Sequence, residues 1–142
     1  MTVETSAATP TLGALQIPDR DSRPSFAALA DGRLEIQQCR DCGHWSWSPR
    51  PICSRCYGLA LEWRPVGGTG TVRSWVTTHH AYVPVLASIV PYTTVLVQID
   101  EQDDISIPGR LVGDVEVREG LRVRVVPERR NDEIGPLHWA PE

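Results

Sequence analysis

Cys39-Arg40-Asp41-Cys42-Gly43, answered by Cys53-Ser54-Arg55-Cys56, is the stretch that decides the reading of this chain. It holds all four cysteines of the 142-residue sequence, spaced C-x2-C, ten residues, C-x2-C. Each C-x2-C turns two sulfurs toward one point, and two facing pairs complete a tetrahedron of thiolates around Zn²⁺. Gly43 follows the first pair and can take the positive φ that such a knuckle often needs. The spacing predicts a zinc ribbon with Cys39, Cys42, Cys53 and Cys56 as structural ligands. Two disulfides or an iron site are the competing chemistries for these residues. A reducing compartment disfavours the disulfides. Four protein thiolates close the tetrahedron, so a catalytic metal is not expected.

The flanks fit a ribbon. Leu34-Glu35-Ile36-Gln37-Gln38 alternates into Cys39, His44-Trp45-Ser46-Trp47-Ser48 alternates after the first knuckle, and Leu61-Glu62-Trp63-Arg64 leads away. Upstream, Pro24 to Gly32 reads as a short helix. Ser25 is its expected cap, Phe26, Leu29 and Ala30 share a face, and Gly32 stops it. Residues 1–22 have no sustained period.

Beyond Gly67 the pattern changes to short strands separated by turn signals. Thr71 to Thr78 places Val72, Ser74 and Val76 on one face. Tyr92 to Asp100 alternates most cleanly. Ile105 to Val112 is interrupted at Pro108-Gly109, and Leu121, Val123 and Val125 alternate with Arg122 and Arg124. About five strands in so short a span fit an OB-like barrel. The expected class is mostly β, with a flexible arm at 1–23, helix and ribbon at 24–64, a five-stranded OB-fold barrel at 65–128 and a tail at 129–142.

Charge narrows the function. The 14 basic residues are all Arg, against 18 acids, for a net charge of −4. Without Lys there is no Schiff-base chemistry. The ribbon segment, 39–64, is net +2, while 99–142 is net −5. Arg73 is the only basic residue between Arg64 and Arg110, which argues against a nucleic-acid groove. No apolar run is long enough to span a membrane, and the first residues lack a secretory pattern, so a cytoplasmic protein is expected.

The ordered series of Phe26 to Gly32, Cys39 to Gly43, Pro49-Arg50-Pro51-Ile52-Cys53-Ser54-Arg55-Cys56, Gly68-Thr69-Gly70-Thr71-Val72-Arg73-Ser74-Trp75, Pro91-Tyr92 and Val112-Gly113 resembles one family. It is similar to the zinc-ribbon/OB-fold proteins that accompany thiolase-like enzymes, long classed as a domain of unknown function. The resemblance covers roughly residues 24–128. It implies a rubredoxin-like ribbon and an accessory subunit docked on a thiolase-like protein, in a heterotetramer or larger complex. It also implies C–C bond chemistry on acyl-CoA thioesters. Retro-aldol cleavage of a steroid side-chain CoA ester leads; thiolysis, Claisen condensation or acyl transfer follows. The reacting groups would belong to the partner.

The remaining candidates are weaker. Arg40, Arg50 and Arg55 surround the knuckles. They either hold the diphosphate of coenzyme A at a partner interface or offset the dianionic zinc–thiolate centre. Trp45 and Trp47 stack on an adenine or on a partner helix, or cover the ribbon against the barrel. Phe26, Trp75, His79, His80 and Tyr82 are candidates for a partner or substrate-channel surface. Adjacent strand residues point to opposite faces, so His79 and His80 do not make one metal site. All cysteines are committed to the ribbon, and no catalytic residue is expected in this chain.

Overall fold

The computed structural model describes residues 18–127 and 137–142. Residues 1–17 of the expected arm and 129–136 of the expected tail lie outside the described residues. The helix, α1, spans Arg23–Ala30 and begins before Ser25. Pro24 occupies its first turn, where a missing N–H costs no intrahelical bond. Asp19 braces the entry by accepting the Ser22 N–H at 2.8 Å and the Ser22 hydroxyl at 2.7 Å. Ser25 is therefore not the cap. It is buried within the helix, and its hydroxyl donates to the Glu35 carbonyl at 3.4 Å. At the other end, the Gly32 and Arg33 N–H groups return to the Leu29 and Ala28 carbonyls, which closes the helix in a Schellman arrangement.

Three short strands form the ribbon sheet: β1 (Glu35–Cys39), β2 (Trp45–Ser46) and β3 (Leu61–Pro65), in the antiparallel order β2-β1-β3. Gln37 pairs with Ser46 on one side and Trp63 on the other. This central strand carries Ile36, fully buried, toward the barrel.

The barrel consists of β4 (Thr69–Thr78), β5 (Tyr92–Ile99), β6 (Ser106–Leu111), β7 (Arg122–Pro127) and β8 (Leu137–Pro141). It closes in the order β4-β5-β6-β8-β7, with the β6–β8 pair parallel and the other pairs antiparallel. Three sequence expectations change here. The alternation of Thr71 to Thr78 fails after Val72, because the register shifts between Val72 and Ser74 and residues 73–77 are all exposed. Strand β6 runs unbroken through Pro108 and Gly109, since only Arg110 and Leu111 pair with β8 and Pro108 sits on an open edge. The closing strand lies in the segment the sequence left as a tail.

Trp139 on β8 is fully buried. A Cβ on Gly109 would stand 2.6 Å from its indole, so the bare glycine is what lets the ring lie against β6. One apolar cluster joins both halves: Leu29, Leu34 and Ile36 meet barrel residues such as Val72, Val97, Ile107 and Val123. Full burial of a side chain like Ile36 is worth about 1.5–3 kcal/mol, enough to weld ribbon to barrel. Trp45 and Trp47 pack against this cluster, as the covering reading expects.

The barrel seam is held by charge. Arg122 of β7 forks onto Asp100 at 2.6 and 2.8 Å, and its Nε reaches Glu142 at 3.0 Å. Asp100 also accepts the Thr69 hydroxyl. The Arg122 guanidinium, then the Thr69 hydroxyl, pull the Asp100 carboxyl down to about 2.

Candidate metal centre

Each cysteine knuckle is built by the same backbone bonds. The Gly43 and Tyr57 N–H groups donate to the carbonyls of Cys39 and Cys53, while the N–H groups of Cys39 and Cys53 donate to His44 and Gly58. Both turns need a left-handed residue after the second cysteine. Gly43 has φ 72°, as the sequence suggested; in the second knuckle Tyr57 takes φ 59° itself. Nothing in the sequence marked Tyr57 for this conformation, which bulky residues seldom adopt.

The two knuckles bring all four sulfurs within 4.8 Å of one another. Cys39 and Cys56 are separated by 3.6 Å, and Cys42 and Cys53 by 3.7 Å. Four sulfurs at about 2.3 Å from one ion would be about 3.8 Å apart, so the cluster matches a tetrahedral site. A disulfide requires about 2.05 Å, and all four cysteines are free.

The electrostatics also suit a cation. The N–H groups of Cys56 and Arg55 point at Cys53 and lower its thiol to about 6. Gly58 does the same for Cys56, but the Cys42 and Cys39 sulfurs, burial and Cys53 outweigh it and push that thiol up to about 12. Cys42 is likewise raised against the pull of the His44 N–H. One thiolate forms readily and then opposes the next. A divalent metal with soft-ligand affinity removes that opposition and displaces the protons.

The neighbouring arginines do different things. Arg40 pairs with Glu62 at 2.9 Å, and Glu62 also holds Arg64 at 3.0 Å. The backbone N–H of Arg50 donates to the Gln37 side chain at 2.9 Å, and its Nε approaches the Ser48 carbonyl at 3.4 Å. Arg55 is exposed and gives its backbone N–H to Cys53. The other candidates lie elsewhere. Phe26 is half-buried on α1. Trp75 projects from β4. His79 and His80 are exposed just beyond β4, where His80 meets Tyr82 edge-on with ring centroids 4.8 Å apart. Val76 and Leu96, also exposed beside Trp75, were not singled out by the sequence.

A four-cysteine ribbon sharing one core with a closed five-stranded barrel is a zinc-ribbon/OB-fold protein. Two abutting family profiles match it: the ChsH2 rubredoxin-like zinc ribbon domain over residues 26–62 and the ChsH2 C-terminal OB-fold domain over residues 63–128. The chain belongs to the ChsH2 family.

A solved chain described as the Ltp2-ChsH2(DUF35) aldolase is 27% identical, with a TM-score of 0.78, covering 89% of this chain and 98% of that one. A DUF35-family protein of unknown function from Sulfolobus solfataricus has a TM-score of 0.62 at 13% identity, covering 87% and 86%, a likeness of fold alone. A probable enoyl-CoA hydratase alpha subunit from Thermomonospora curvata is 34% identical over 83 residues, or 58% of this chain. The matched part is 25% of that protein. Among the described residues, no helix is long and apolar enough to cross a membrane.

Proposed function

We propose that this chain is a non-catalytic, zinc-pinned accessory subunit that docks on a thiolase-like partner and supports C–C bond chemistry on acyl-CoA thioesters. The observation that carries the reading is the match along 98% of a chain from a two-component aldolase. The site chemistry agrees with it. The four thiols face one another, so none is left as a nucleophile, and the sequence has no Lys. Zinc held by Cys39, Cys42, Cys53 and Cys56 would fix the ribbon and supply no open coordination position.

Within this reading the reaction is retro-aldol cleavage of a steroid side-chain CoA ester, in a cytoplasmic heterotetramer or larger assembly. Any contact with the CoA diphosphate falls to Arg50 and Arg55, since Arg40 is already paired with Glu62. Phe26, Trp75, His79, His80 and Tyr82 belong to the partner or channel surface. Co-expression with the thiolase-like subunit tests the proposal. One stable complex is expected by size-exclusion chromatography with light scattering. A chain that stays a monomer beside a fully active partner contradicts it.

A further inference from the structure

We infer that the free edge of β4, from Ser74 to Thr78, takes an extended segment of the partner polypeptide as an added strand; this rests on the accessory-subunit reading above. Strand β4 is paired on both sides only at its start. Thr69, Gly70 and Thr71 face β7, and Val72 exchanges backbone bonds with Gly120 and Leu121. Beyond the register shift only β5 is bonded, from Ser74 opposite Leu96 to Thr78 opposite Tyr92. No other backbone partner reaches Ser74–Thr78 among the described residues. The far half of β4 therefore presents an unpaired row of N–H and C=O groups.

The composition around that edge is unlike the rest of the chain. Residues 74–99 contain no Asp, Glu, Lys or Arg, although 23% of the chain is charged. About six charges would be expected by proportion. Among the described residues, five of the eight large apolar side chains that are exposed lie here: Trp75, Val76, Tyr82, Val83 and Leu96. Val76 is 60% exposed and Tyr82 90%. Edge strands of free-standing proteins are usually guarded by charge, whereas the centres of protein interfaces are depleted of it.

The chemistry of the edge selects the occupant. A lipid surface leaves strand N–H and C=O groups unsatisfied, and an uncharged strip offers nothing to phosphates. Beside the edge, a hollow of about 170 Å³ is lined by residues including Trp75, Val76, Leu96 and Pro108. That is below the roughly 300–1,000 Å³ of small-molecule pockets. It suits one side chain of an incoming strand. Backbone pairing along the edge with alternate side chains in pockets is the pattern of strand addition.

The test uses the full chain and its co-expressed thiolase-like subunit. Amide hydrogen exchange is measured on the free chain and the complex, and affinity is measured for wild type, Val76→Asp and Leu59→Asp. Leu59 is an exposed apolar residue of the ribbon, between the second knuckle and β3 and outside the barrel strands. The proposal expects slowed exchange at residues 74–78 in the complex. It also expects a loss of about 30-fold or more in affinity for Val76→Asp, the size of a hot-spot loss, and little change for Leu59→Asp. A wild-type complex whose 74–78 amides exchange as in the free chain overturns the docking strand and leaves the subunit reading intact. If wild type forms no complex, the subunit reading fails and the docking strand falls with it. Slow 74–78 exchange in a homodimer that Val76→Asp dissociates assigns the edge to a second copy and also overturns it.

Discussion

Trp139→Ala removes the largest of the fully buried side chains from the strand that closes the barrel. Its indole packs against Gly109 on β6, and its neighbours on β8 pair with both β6 and β7. Deleting a buried aromatic costs about 3–5 kcal/mol, because the cavity collapses only partly. Domains of this size hold about 5–15 kcal/mol in total, so about a fifth or more of the stability is at stake. With a urea slope near 2 kcal/mol per molar, the unfolding midpoint should fall by about 2 M. Far-UV circular dichroism in zinc-containing buffer reads this without relying on tryptophan emission. Gly109→Ala pushes a methyl into the same ring from the opposite side and should cost about 1–3 kcal/mol. A midpoint for Trp139→Ala within about 0.5 M of wild type would mean that β8 does not close the core, and the barrel described here would be wrong.

Two further outcomes follow from the ribbon and the seam. The purified chain should carry about one zinc by elemental analysis. Cys53→Ser or a strong chelator should abolish the ribbon signals in a heteronuclear NMR spectrum; a metal-free chain with an unchanged spectrum contradicts the centre. The Asp100 carboxyl is depressed in the folded state, so its stabilisation is present above its ordinary value of 3.8 and disappears as pH falls toward about 2. Asp100→Asn should flatten stability against pH across that window and lower stability at neutral pH; an unchanged acid limb in the variant counts against the fork.

What was legible in the sequence was what neighbouring residues decide. Cysteine spacing specifies a metal knuckle locally, and the four sulfurs do meet. The alternation of Tyr92 to Asp100 marked β5 because both its flanks are paired over Thr94 to Gln98 and one face is buried. The misreadings came from distant contacts. Ser25 looked like a cap but is drawn inward by the Glu35 carbonyl, while Asp19 and Ser22 shape the helix entry. Leu137-His138-Trp139-Ala140-Pro141 is too short to announce a strand, and it becomes one by lying between β6 and β7. Pro108 looked like a break because the sequence hides which edge of its strand is unpaired. Of the candidate surface, Trp75 and Tyr82 could be named from sequence. Val76 is exposed because the alternation of β4 breaks at the register shift after Val72, whereas Leu96 alternates outward between the buried Val95 and Val97 of β5.

The most direct measurement follows acyl-CoA thioester turnover by three samples: this chain, its thiolase-like partner, and the two reconstituted together. The account predicts no turnover by this chain alone and C–C cleavage in the reconstituted pair. Cleavage by the isolated, zinc-loaded chain would contradict it, because the bond-breaking groups would then have to reside in this polypeptide.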